Sequence, residues 1–209
     1  PICTVLYLAL EDDFQRIQSR MFMMYGVNDT DRLHFATAAG KIGNGLDEQL
    51  ESFVREHPDT RLIIIDTMQK IREIGGEGYS YASDYEIIGK LKQFADKHCI
   101  CVLTVHHTRK QPAGDSFEMI SGTTGLLGCA DGSLLMQKKK RTALEATIDV
   151  VGRDQQDQIL YLRKDADTQI WNLEKVENEL HKEPPDHILE AVSGLVSAEQ
   201  PVWTGSPSE

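Results

Sequence analysis

The chain has 209 residues, 40% of them hydrophobic and 26% charged, which suits one domain with a sizeable core and excludes bulk disorder. Its 22 Lys and Arg stand against 33 Asp and Glu, a net charge of −11. That balance excludes a nucleic-acid coat or a membrane-surface binder acting through overall charge, so any DNA contact has to come from local basic loops. No apolar run approaches the ~20 residues of a membrane span, and no charged-then-apolar leader follows Pro1. The expected location is the cytoplasm, with no membrane partner. Pro1 in place of Met leads us to expect a piece of a longer protein.

Thr4–Leu10 is a continuous apolar run ending at Glu11-Asp12-Asp13, the pattern of a strand buried on both faces of a parallel sheet. Phe14, Ile17, Met21, Met24 and Tyr25 recur at helical spacing, and Gly26 supplies the stop. Leu33–Ala36 reads as a short strand. Leu46, Leu50, Phe53 and Val54 mark a second helix, ended by His57-Pro58. Arg61–Asp66 is the clearest buried strand. Gly75–Tyr81 has loop composition, and Ser83-x-x-Glu86 reads as a capping box opening a helix through Ile87, Ile88, Leu91, Phe94 and Ala95. Ile100–Val105 is the next strand. Strands alternating with helices in this way predict a doubly wound, mostly parallel α/β sheet.

Beyond residue 110 the pattern changes. Gln111–Phe117 is polar and loop-like, and Ser121–Ala130 reads as a small-residue helix. Ser133–Gln137, Leu144–Val151, Gln158–Arg163 and Gln169–Leu173 follow as strand-like runs joined by short polar turns, hence antiparallel hairpins extending the sheet. Lys138-Lys139-Lys140-Arg141 lies in the first of those turns, as a solvated turn or a basic DNA patch. Residues 174–209 hold eight acidic and two basic side chains. The expected division is a partial ATPase-type domain over 1–175 and an acidic linker with a C-terminal helix, Ile188–Val196, over 176–209. That tail would lead toward an appended domain.

Cys3, Cys99, Cys101 and Cys129 form no C-x-x-C pair and read as small core residues of a reducing compartment. A metal cluster of Cys99, Cys101 and the histidines at 98, 106 and 107 fails on geometry, because a strand sends neighbours to opposite faces.

Three strands end in groups that could do chemistry. Asp66 closes a β-branched run, as a carboxylate that binds Mg²⁺ through water does in nucleotide-hydrolysing sheets. Glu11 ends another strand and could orient or deprotonate a water. His106 and His107 close a third. The phosphate loop G-x-x-x-x-G-K-[ST] does not occur: Gly40-Lys41 and Gly89-Lys90 are followed by Ile42 and Leu91, with Phe35 and Asp84 where the first glycine belongs.

Five blocks in order carry a family resemblance: VLYLALEDD at Val5–Asp13, LIIIDTMQKI at Leu62–Ile71, VLTVHHTRK at Val102–Lys110, SGTTGLLGCADGSLLM at Ser121–Met136 and VVGRDQQDQ at Val150–Gln158. Over Val5–Leu173 the chain resembles the RecA-like ATPase core of the RepA-type replicative helicases of plasmids, phages and mobile elements. The resemblance implies a RecA-like fold, N-terminally truncated because the family's first strand and phosphate loop precede Val5. It implies Glu11 as the catalytic Glu, Asp66 as the Walker B Asp on Mg²⁺, and the pair His106 and His107 as the γ-phosphate sensor, with His107 favoured. Arg153 matches the arginine that ring helicases lend to a neighbour's nucleotide; its rival reading is a local ion pair with Asp154 or Asp157. Arg109 and Lys110 would begin a loop facing single-stranded DNA in the central channel. The complete protein would use ATP and Mg²⁺ and assemble as a ring hexamer, while this chain would hold neither tightly and hydrolyse no ATP. Its function would be DNA handling in replication, as helicase, loader or regulator. The alternative is a non-enzymatic DNA- or partner-binding module on the same fold. A strand such as Thr4–Leu10 or Arg61–Asp66 is expected to lack a neighbour and to drive self-association, or to be covered by the tail helix.

Overall fold

The computed structural model describes residues 3–27, 30–72, 81–108 and 128–178. The first half runs β1 (Thr4–Ala9), α1 (Phe14–Tyr25), β2 (Leu33–Ala36), α2 (Leu46–Glu56), β3 (Thr60–Asp66), α3 (Met68–Ile71), α4 (Tyr81–His98) and β4 (Cys101–Val105). Its four strands form a parallel sheet in the order β2-β1-β3-β4. The second half contributes β5 (Gly132–Gln137), β6 (Glu145–Gly152), β7 (Gln158–Lys164) and β8 (Trp171–Asn178). These form an antiparallel sheet of their own in the order β5-β6-β7-β8. The last strand runs past residue 175 to Asn178, so the acidic shift in composition begins inside it.

The core lies on one face of the parallel sheet. Leu6 and Leu8 of β1 and Ile63 and Ile65 of β3 pack with Leu46 and Leu50 of α2, Met68 and Ile71 of α3, and Ile87 and Leu91 of α4. The other face, with Val5, Tyr7, Leu62 and Ile64, is only half-buried, although continuous apolarity predicted full burial on both sides. The chain passes from β1 to β2 in one direction and from β2 to β3 in the other. Right-handed crossovers therefore put α1 and α2 on opposite faces. Within α1 only Ile17 is fully buried, and Phe14, Phe22, Met23 and Tyr25 are exposed.

Local signals set most element ends. Asp13 caps α1 by accepting from the Arg16 N–H at 2.9 Å, and Gly26 ends it at φ 69° with its N–H on Phe22 O. His57 ends α2. Helix α4 starts at Tyr81, so Ser83 lies inside its first turn and is not the cap that the Ser83-x-x-Glu86 pattern predicted.

Other expectations are corrected. Strands β1 and β3 are interior and paired on both sides, so neither lacks a neighbour; the edges are β2 and β4. Cys99 and Cys101 are exposed and Cys3 is half-buried, leaving Cys129 as the one core thiol of the four; all are free. The exposure follows from the edge position of β4 and from Cys99 turning at φ 53° just before it. The loops read at Gly75–Tyr81 and Gln111–Phe117 lie wholly or almost wholly outside the described residues, as do most of Ser121–Ala130 and the tail helix Ile188–Val196. Among the described residues no helix is long and apolar enough to cross a membrane.

The segment from Gly40 to Gly45, which lacks the phosphate-loop pattern, folds as a tight turn onto the start of α2. Gly40 N–H donates to Gln49 Oε1 at 2.8 Å and Gly43 N–H to Asp47 Oδ2 at 2.6 Å. These backbone donors are thus spent on the helix's own side chains. A Cβ at Gly40 would stand 2.6 Å from Leu46 N and 2.7 Å from Gly45 C, both backbone atoms that cannot swing away. We expect Gly40→Ala to cost about 1–3 kcal/mol and Leu46→Ala about 2–5 kcal/mol in urea unfolding, with exposed Leu134→Ala within about 0.5 kcal/mol of the parent.

Candidate functional site

Parallel register brings the carboxyl ends of β1, β3 and β4 to one edge: Ala9 lies beside Asp66, and Asp66 beside Val105. The residues that follow each strand therefore meet. Leu10 N–H donates to Asp66 O at 2.7 Å, tying the exit of β1 to the end of β3. Beyond it, Glu11 accepts from the Thr67 hydroxyl at 3.2 Å through Oε1, while its Oε2 stands 3.9 Å from His107 Nε2. Thr67 is fully buried and follows a cis peptide bond after Asp66. Glu11 and His107 are solvent-accessible, as groups meeting a diffusing ligand must be.

Asp66 is half-buried, and Tyr7 donates its hydroxyl to Asp66 Oδ2 at 2.8 Å. Both side chains stand on the half-covered face of the sheet, Tyr7 from β1 and Asp66 from β3. Burial pushes the Tyr7 phenol up to about 12, and the hydrogen bond to Asp66 and that carboxylate's charge add to the effect. Tyr7 thus stays a neutral donor. It occupies one Asp66 oxygen, and among the described residues no donor reaches Oδ1. One open carboxylate oxygen beside a second carboxylate suits Mg²⁺, which keeps several waters and takes one or two carboxylates together with phosphates. Among the described residues no three His, Cys, Asp or Glu side chains converge as a metal-holding group, so the protein's share of any coordination here is small.

Asp12 turns away from this edge. It lies 3.2 Å from Arg16 Nη1 and 2.8 Å from Arg20 Nη1, bracing α1.

The remaining sequence-derived candidates fall elsewhere. His106 is half-buried, whereas His107 is the histidine beside Glu11. Arg109 and Lys110 lie outside the described residues. Arg153 sits in the turn just after β6, not within the strand, and it does not pair with Asp154 or Asp157. It donates to Gly128 O at 2.9 Å and lies 3.5 Å from Asp131 Oδ1. Lys92 of α4 grips the same carboxylate at 2.7 Å, which holds the Asp131 carboxyl below its usual range and raises Lys92. Sequence reasoning passed over Asp131 because it is far from Arg153 along the chain; the antiparallel pairing of Gly132 with Gly152 makes them neighbours. It also passed over Tyr7 and Thr67. The one signal for Tyr7 was a hydroxyl inside an otherwise apolar run of β1.

A phenol raised in the folded state stabilises it fully below about pH 10, and the contribution is lost as pH rises through about 12. We expect Tyr7→Phe to be less stable than the parent by about 1–2 kcal/mol. The gap between the two in urea unfolding should be level up to pH 10 and narrow above it.

A family model described as an AAA domain matches residues 3–113. Two solved structures share the fold. One, the ATPase domain of G40P, superposes with a TM-score of 0.67 at 13% identity, over 82% of this chain and 75% of that one. The other is a DnaB-like replicative helicase whose interactions with primase were also described; it gives 0.65 at 15% identity, over 81% of this chain and 51% of that one. The chain thus spans about half the length of that helicase. No curated protein matches it. The architecture is therefore RecA-like α/β, a parallel sheet and an antiparallel sheet.

Proposed function

The chain belongs to the AAA domain family, and on that premise we propose that it is the RecA-like ATPase core of a RepA-type replicative helicase, or of a related loader or replication regulator. The observation that carries this reading is the meeting of Glu11, Asp66 and His107 at the carboxyl edge of the parallel sheet, where α/β sheets bind their ligands. In the complete protein, bound Mg²⁺ would offset the charge of the ATP phosphates. Asp66 would hold that ion's waters, with Tyr7 fixing the carboxylate's rotamer. Glu11, oriented by Thr67, accepts a hydrogen bond from the attacking water and turns its lone pair toward phosphorus. His107, beside Glu11, is placed to sense the γ-phosphate.

Arg153 reaches the neighbouring subunit's nucleotide in a head-to-tail ring, and its planar fork suits phosphate oxygens. Arg109 and Lys110 contact single-stranded DNA in the channel. The phosphate cradle is not among the motifs of these 209 residues, so the chain alone turns over no ATP. The second reading is a non-enzymatic DNA- or partner-binding platform on the same fold. A phosphate loop in the full-length gene decides between the two.

Subunit mixing tests the assignment. In the full-length protein, Glu11→Gln should lose ATP turnover while keeping ATP binding. Arg153→Ala should lose ~10³-fold or more, the scale of arginine fingers. Mixing the two inactive variants should restore turnover at interfaces that pair a good Glu11 with a good Arg153. Near-normal turnover by Arg153→Ala alone would make that arginine a surface charge.

A further inference from the structure

Several cations among the described residues stand on carboxylates. Arg16 and Arg20 meet Asp12, Arg32 meets Asp59, Lys97 meets Glu51, and Lys92 and Arg153 share Asp131. One group does not. Lys138, Lys139, Lys140 and Arg141 form the exposed turn between β5 and β6, and Lys164 ends β7; among the described residues none of the five forms an ion pair with a carboxylate.

The fold gathers them. Strand β8 begins at Trp171, paired with Lys164, and two strands separate it from β5. The turn after β5 nevertheless curls across that end of the sheet. Lys138 Nζ comes within 5.6 Å of the Trp171 ring centre and Lys164 Nζ within 5.8 Å. Two ammonium groups converging on one indole repel each other, and a cation–π contact offsets only part of that. The nearest guanidinium, Arg163, is already held by Glu145 and Glu174 at 2.9 Å each and adds no free charge. What is left is a group of cations without ion-pair partners near a half-buried aromatic ring, with Asp165 and Asp167 in the adjoining turn, on a molecule whose net charge would otherwise repel a polyanion.

We propose that this end of the antiparallel sheet is a binding surface for single-stranded nucleic acid. Phosphates take up the charges of Lys138, Lys139, Lys140, Arg141 and Lys164, and an unpaired base stacks against Trp171. The aromatic ring between the cations favours a single strand over a membrane or a duplex, because only an unpaired base offers a face to stack. It uses none of Glu11, Asp66, His107, Arg109 or Lys110 and does not rest on the roles proposed for them.

The test is fluorescence anisotropy of labelled (dT)20 with the full 209-residue chain across a salt series. The parent should bind, with affinity falling as salt rises. Lys139→Gln/Lys140→Gln, altered only in an exposed turn, should weaken binding and lower the slope of log K against log salt by about 1.4. Trp171→Ala should weaken binding about 5- to 150-fold with the slope unchanged. Should that variant fail to fold, the lysine pair still decides. Arg109→Ala/Lys110→Ala separates the channel loop from this patch. The proposal is overturned by parental binding in the lysine variant, by loss confined to the Arg109/Lys110 variant, or by no (dT)20 binding at all. Capture on anionic phosphatidylserine vesicles without (dT)20 binding would assign the patch to a membrane and overturn it equally.

Discussion

Everything at the candidate site depends on the parallel register of β1 and β3. Parallel pairing aligns strand ends, and the step of Ala9 opposite Asp66 sets where the next residues can go. A single hydrogen bond, Leu10 N–H to Asp66 O, then holds the two exits together. Shift that register by one residue and Tyr7 would face the core while its hydroxyl lost Asp66. The buried pairs Leu6 and Leu8 with Ile63 and Ile65 resist such a slip, so the same apolar face that stabilises the domain also positions its carboxylates.

Two hydroxyls complete that arrangement. Tyr7 holds Asp66 and Thr67 holds Glu11, each engaging one carboxylate oxygen. A carboxylate with one oxygen tethered has lost its rotamer freedom before any ligand arrives, which is the kind of preorganisation that phosphoryl chemistry relies on. The two tethers also run between strands: Tyr7 reaches from β1 to the end of β3, and Thr67 reaches back from beyond β3 to the residues after β1. Glu11 and Asp66 are therefore each anchored to the opposite strand's end.

The strand ends were legible because polarity changes abruptly there: Asp66 after four apolar residues, Glu11 after seven residues dominated by apolar side chains. Gly26 and His57-Pro58 were legible because backbone chemistry, not packing, ends those helices. The partners were not. Thr67 next to Asp66 looks like any strand exit, and its bond to Glu11 exists only once β1 and β3 pair. Asp131 and Arg153 are joined by a hairpin register that no local pattern announces. Lys138 and Trp171 are brought together by a turn folding over two strands. The cysteines misled for a related reason: an apolar run marks a strand, but not whether that strand is interior or at the edge, and β4 is at the edge.

The charge pattern around the second sheet also governs how the molecule behaves at a distance. Uncompensated positive groups collect at one end of that sheet, while the sequence as a whole has a pI near 5.1. Where positive charge collects locally on a net-negative molecule, a negatively charged surface repels the whole and attracts that end, so the approach is oriented. Repulsion and attraction then share one approach path, so orientation is selected before contact. Added salt erases the selection over a Debye length of roughly 10 Å at 0.1 M, well before it disturbs the buried core.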